Sequence, residues 1–286
     1  MLLKNDKIAI VACSNAQPLC NKEKINELEE VIKDIGLIPV FSNFIYEKYS
    51  VFSGSAKERG KALMKCYLDK DIKAIFDISG GDVANEVLEY LDFQVIKNNP
   101  KPFFGYSDLT TVINAIYSKT ENLSYLYQIR NLVYSYKEIQ KQRFINSILL
   151  GKDDLFNIDY EFLQGNKMSG VVIGGNIRCF LKLSGTPYMP DLKNKILLLE
   201  SCGGEVALMT TYLTQLKQMR AFEKINGIIL GTFTKMEQNK VKPNIEEIVL
   251  SIVDNKSLPI IKTNEIGHGM DSKCMIIGKN MIFEQK

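Results

Sequence analysis

A chain of 286 residues, 45% hydrophobic and 24% charged, has the makeup of a folded protein with apolar material for more than one core. Its net charge of +3 is spread without a basic stripe, and no apolar run approaches the ~20 residues of a membrane span, so neither nucleic acid nor a membrane is an expected partner. A single histidine, His268, and six cysteines with no Cys-x-x-Cys pair exclude the ordinary zinc spacings, so no metal and no cofactor are expected.

The N-terminus turns directly into the apolar run Ile8–Val11, without the basic, apolar and cleavage regions of a leader peptide; the expected location is the cytoplasm, with the cysteines as free structural thiols. Residues Lys22–Ile35 carry Ile25, Leu28, Val31 and Ile32 at helical spacing, with Gly36 as a stop. Ile38–Phe41 is the next strand. Ser55-Ala56-Lys57-Glu58 has capping-box spacing and opens a helix to about Leu68. Lys73–Ile78 is a strand ending at Ser79-Gly80-Gly81-Asp82, followed by a short helix over Val83–Leu91. Pro102–Tyr106 and Leu109–Ser118 form another strand and helix. This alternation implies a parallel sheet covered by helices.

The pattern is less regular from about 119 to 168. Tyr125–Tyr136 is tyrosine-rich, and Lys137–Leu150 can be a helix, its Lys137–Arg143 portion reading as a solvated face. The expected organisation is an N-terminal domain over 1–135, a linker over 136–167, and a C-terminal domain over 168–286. Within the latter, Gly170–Ile173, Ile196–Leu199 and Gly227–Leu230 are strands, Glu205–Met219 and Ile245–Val253 helices, and Met275–Ile277 and Met281–Phe283 short closing strands.

Ser107 lies between a strand and a helix, where a tight turn exposes a hydroxyl beside a helix N-terminus; Gly105 keeps the turn uncrowded and the Asp108 amide becomes an oxyanion donor. The same pattern serves a helix that Ser107 or Asp108 merely caps, and Leu109 stands where a second glycine is usual. Gly80-Gly81 ends a neighbouring strand, where backbone amides can approach a substrate oxygen or simply make a tight turn. Glu200 ends the apolar run Ile196–Leu199 and can orient an imidazole; Glu205 is its rival. His268 is flanked by Gly267 and Gly269, which imply a bent, close-fitting backbone. No phosphate-loop or dinucleotide glycine pattern is present.

Taken in order, Phe52–Arg59, Lys73-Ala74-Ile75 with Gly80-Gly81, Gly105-Tyr106-Ser107-Asp108-Leu109-Thr110, Gly174-Gly175-Asn176, Gly185–Asp191, Ile196–Glu200 and Gly267-His268-Gly269 resemble the LD-carboxypeptidase and microcin-immunity serine peptidase family along nearly the whole chain. The resemblance implies a flavodoxin-like N-terminal domain with a parallel sheet, a smaller mixed α/β barrel-like C-terminal domain, and a site between them. It implies a catalytic triad of Ser107, Glu200 and His268, with Gly81 or Gly80 and Asp108 as the backbone oxyanion hole. It further implies a homodimer and a muropeptide tetrapeptide substrate, cut at an L,D-amide to release D-alanine during peptidoglycan recycling. Hydrolysis of a peptidyl- or aminoacyl-nucleotide antibiotic is the alternative within the family, with Tyr125 and Tyr127 available to stack a base. A non-catalytic peptide- or nucleotide-binding protein is the remote one. Three departures fall where substrate binds: Ser201-Cys202-Gly203-Gly204-Glu205 follows the glutamate, Ser124–Asn131 replaces a His-Gly-Pro segment, and Ser79 precedes the glycine pair where arginine is frequent. For the substrate carboxylate, Arg130, Arg178, Lys182 and Ser79 are candidates, with Tyr106 as a further contact.

Overall fold

The computed structural model describes residues 2–285. In chain order the first half holds β1 (Lys7–Val11), α1 (Lys22–Asp34), β2 (Ile38–Phe41), α2 (Ala56–Leu68), β3 (Ile72–Asp77), α3 (Phe93–Asn98), β4 (Phe103–Gly105), α4 (Thr110–Thr120), β5 (Ser124–Leu126) and α5 (Lys137–Phe144). The second half holds β6 (Glu161–Gln164), β7 (Lys167–Asn176), α6 (Ile177–Leu181), β8 (Lys195–Ser201), α7 (Val206–Gln218), β9 (Gly227–Phe233), α8 (Thr234–Gln238), α9 (Ile245–Val253), β10 (Ile260–Lys262), β11 (Met275–Ile277) and β12 (Asn280–Glu284).

Two six-stranded sheets result. In the first, β2, β1, β3, β4 and β5 lie side by side and parallel. That is the flavodoxin-like order, and its ligand crevice lies at the carboxyl ends of the strands around β1 and β3. The edge beyond β5 is covered by β11, which pairs with it antiparallel. A three-residue strand near the C-terminus therefore completes the N-terminal sheet. In the second sheet β7, β8, β9 and β10 are parallel, with β12 and β6 as antiparallel edges, and the sheet curls as a half-barrel.

Helix α4 joins the two sheets. Residues Thr110–Ile116 are all buried, because one face meets β4 and β5 of the first sheet and another meets β7 and α6. Such a helix needs apolar residues nearly all round, and Val112, Ile113, Ala115 and Ile116 supply them. Two of its polar residues bond to β7. Asn114 Nδ2 donates to the Gly174 carbonyl at 2.9 Å, and its Oδ1 accepts from the Gly174 amide at 2.9 Å. Thr110 Oγ1 accepts from the Asn176 amide at 3.0 Å. Asn176 in turn lies in register with Glu200 on β8. These bonds fix the helix that follows Ser107 against the strand pair that carries Glu200.

Residues 136–167 are not bare connection. Phe144, Ile148 and Leu155 are buried with Ile8, Phe76 and Phe104 in the core on one face of the first sheet. Lys137, Glu138, Ile139 and Gln142 are exposed, as a solvated helix face requires; Gln140 departs from that reading and is fully buried, because its side chain bonds to the histidine loop. Among the described residues no helix is long and apolar enough to cross a membrane.

Candidate active site

Strand β4 stops at Gly105, Tyr106 is extended, and Ser107 takes a left-handed φ of 55° before a single 3-10 turn leads into α4. For a residue with a side chain this conformation costs about 1 kcal/mol, so surrounding bonds must hold it. Asp108 provides them. Its fully buried carboxylate accepts from Ser14 Oγ at 2.6 Å and the Ala84 amide at 2.8 Å, and forms an ion pair with Lys182. The Leu109 amide closes the turn onto the Tyr106 carbonyl at 3.0 Å.

His268 Nε2 lies 3.1 Å from Ser107 Oγ, and its Nδ1 lies 2.6 Å from Glu200 Oε2. The carboxylate is fully buried at the end of β8. A hydrogen bond on Nδ1 leaves the other ring nitrogen to act on the serine. Glu205, the rival acid, instead accepts from Asn239 Nδ2 at 2.7 Å on the surface.

The histidine loop is braced from several sides. A Cβ at Gly267 would lie 1.9 Å from Thr232 Oγ1, so only glycine fits there, at a φ of 150°. Ser272 Oγ donates to the Gly267 carbonyl at 2.8 Å. From α5, Gln140 Nε2 donates to the carbonyls of Ser272 at 2.8 Å and Met270 at 3.2 Å, and Arg143 donates to that of Asp271 at 2.9 Å. The Tyr106 ring packs on the imidazole with centroids 4.4 Å apart. Burial, with the Glu200 charge adding, pushes its phenol well above the usual tyrosine range. Partial burial and the same charge raise the Cys202 thiol, which disfavours its thiolate.

Gly80 faces Ser107: a Cβ on it would stand 3.7 Å from Ser107 Cβ. At Gly81 a Cβ would strike the Asn15 side chain at 2.2 Å. Asn15 also holds this loop, its amide donating to the Gly80 carbonyl at 3.1 Å and its Oδ1 accepting from the Asp82 amide at 2.9 Å. Beneath lies Asp77, a fully buried carboxyl whose pKa burial raises; it accepts from Ser79 Oγ at 2.5 Å and from the Cys13 amide at 2.8 Å.

Ser107, His268, Gly80, Gly81, Tyr106 and Arg130 line one open cleft of about 410 Å³. Ser79 does not line it; its hydroxyl is buried and bonded to Asp77. Arg178 is paired with Asp82 and donates to the Gly81 carbonyl at 2.8 Å. Tyr125 and Tyr127 are also unavailable to the cleft: Tyr125 stacks on Phe104, and Tyr127 is fully buried beside Phe144. Sequence reasoning missed Asn15 and Gln17 because the loop after β1 carries no motif, and missed Gln140 because a polar helix gives no sign of its inner face. Among the described residues no group of three or more His, Cys, Asp or Glu is placed to hold a metal ion.

Residues 8–128 match the model of the LD-carboxypeptidase N-terminal domain, and residues 169–282 that of the LD-carboxypeptidase C-terminal domain. A putative carboxypeptidase of Treponema pallidum is 27% identical over 97% of this chain and 89% of its own length. The microcin C7 self-immunity protein MccF of Escherichia coli is 27% identical over 76% of this chain and 72% of its own. The solved muramoyltetrapeptide carboxypeptidase of Oxalobacter formigenes superposes with a TM-score of 0.80 at 20% identity, covering 98% of this chain and 95% of that one. With both family domains present in order and nearly the full chain accounted for, this chain belongs to the LD-carboxypeptidase family.

Proposed function

We propose that the protein is a serine carboxypeptidase that cuts an L,D-amide and releases the terminal D-alanine of a muropeptide tetrapeptide. The observation that carries this reading is the unbroken hydrogen-bonded chain from Ser107 through His268 to Glu200 in the cleft. His268 Nε2 takes the Ser107 proton as Oγ attacks the amide carbonyl, and Glu200 stabilises the imidazolium. The amides of Gly81 or Gly80 and of Asp108 hold the oxyanion. His268 then protonates the departing amine, leaving an acyl-enzyme. Water, deprotonated by His268, attacks the ester, and the proton returns to Ser107 as the peptide acid leaves.

The test is incubation of wild type and Ser107→Ala with a purified muropeptide tetrapeptide and, in parallel, an aminoacyl-sulfamoyl adenosine. Tripeptide plus D-alanine from wild type alone is expected by mass spectrometry. Cleavage of the sulfamoyl adenosine in place of the tetrapeptide would replace this substrate with the immunity-type one. Hydrolysis that survives Ser107→Ala would overturn the mechanism.

A further inference from the structure

A carboxypeptidase must recognise the free carboxylate of the residue it releases, and we infer that Arg130 is the side chain that does so here. The inference rests on the carboxypeptidase reading above and names its specificity determinant. Arg130 sits in the 3-10 turn Ile129–Val133 that follows β5, half-buried, on the wall of the cleft that holds Ser107 and His268.

The other cations near the site are already neutralised. Arg178 is paired with Asp82. Lys182 is paired with Asp108 and donates to the Asp82 carbonyl at 2.7 Å. Among the described residues no carboxylate lies within ion-pair distance of Arg130. Its bonding is incomplete as well: Nη1 donates to Gln17 Oε1 at 3.1 Å, Nη2 has no hydrogen-bond partner among the described residues, and Nε is buried without one among them. A partly desolvated guanidinium with donors to spare is the group that a carboxylate oxygen satisfies, and its planar fork matches that anion.

The cation is also held still. Gln17 is buried, and its own Nε2 is tied to the Ile78 carbonyl at 2.7 Å, so the Gln17 oxygen offered to Arg130 is fixed. Glu47 is the other formally charged side chain on the cleft wall, and its sign leaves Arg130 as the anion's place.

The experiment compares kcat/KM for a tetrapeptide ending in free D-alanine with that for its C-terminal amide, in wild type, Arg130→Gln and Arg130→Lys. Wild type should prefer the free acid by about 10²-fold, the weight of a charge-assisted pair. In Arg130→Gln the ratio should collapse toward one, and Arg130→Lys should recover part of it. A merely structural arginine would lower both substrates alike and keep the ratio. Retention of the ratio in Arg130→Gln, with wild type active, overturns the anchor and leaves the carboxypeptidase reading intact. Wild type that cleaves neither substrate overturns both.

Discussion

Lys182, just beyond the end of α6 in the second half, forms an ion pair with Asp108, whose buried carboxylate follows the nucleophile candidate in sequence. The pair bridges the two halves and fixes the turn that presents Ser107. Removing the cation leaves a charged carboxylate out of water, with the Ser14 hydroxyl and the Ala84 amide as its remaining close donors among the described residues. Lys182→Met should therefore destabilise the protein by about 3 kcal/mol, read as the shift in urea midpoint at constant slope. An unchanged midpoint would show that water serves Asp108 as well as Lys182 does.

The left-handed backbone at Ser107 makes a prediction about paired variants. Both Ser107→Ala and Ser107→Gly should lose turnover by several orders of magnitude. At an ordinary position glycine would be about 0.5–1 kcal/mol less stable than alanine. Here glycine escapes the strain, so Ser107→Gly should be at least as stable as Ser107→Ala in thermal melts. A clear deficit for the glycine variant would mean that the turn stores no strain.

Gly81→Ala would drive a methyl group into Asn15 and strain a backbone at a φ of 114°. The loop must then move, taking its amide away from the oxyanion. The expected loss is about 10²–10³ in kcat, the weight of one oxyanion donor, with KM changed far less. Steady-state kinetics decides it: a loss confined to KM would place this loop in binding alone.

Gln140→Leu removes the donor shared by the Ser272 and Met270 carbonyls and frees the Tyr127 hydroxyl, which lies 3.2 Å from Gln140 Oε1. The histidine loop should loosen. A drop of about tenfold or more in kcat is expected, because small misplacements of a reacting group are costly. The pH–rate profile should keep its shape, since no proton-transferring group is lost. An unaltered kcat would show that Ser272 and Arg143 hold the loop unaided.

The Arg178 guanidinium beside Asp82 holds its carboxyl below the usual aspartate range. A lowered folded-state pKa means stability that is present above the ordinary aspartate pKa of ~4 and is lost as pH falls through the folded value. The pair is solvent-exposed, so its contribution is small. The melting temperature of wild type should exceed that of Asp82→Asn at pH 6, with the gap closing below pH ~4. A gap that widens in acid would reverse the assigned sign.

The sequence marked Ser107, Glu200 and His268, which the structure joins in one hydrogen-bonded chain, because each ends or follows a strand and carries its own local mark: a strand-to-helix turn at Ser107, an apolar run before Glu200, glycines around His268. The helices α1, α2 and α9 were equally visible through their apolar spacing or capping boxes. What stayed hidden was set by distance along the chain. Nothing within Ser124–Leu126 announces a strand, because that segment becomes one only by pairing with Phe103–Gly105 and Met275–Ile277. Ser79 is a different case: its partner, Asp77, is only two residues away, but no local pattern shows that both side chains are buried. Arg130 stood among equal candidates until Arg178 and Lys182 were seen to be taken.

The return of β11 to the first sheet has a consequence for how the chain can be divided. A cut between α5 and β6 yields an N-terminal piece whose β5 edge is left bare, and a C-terminal piece holding the strand that would cover it. Bare sheet edges recruit strands from other chains. Expressed alone, the first piece is thus prone to self-association; supplied with the second, it regains its own cap and, through the same segment, the loop that brings His268 to Ser107. The two lobes behave as complementary fragments rather than as separable modules.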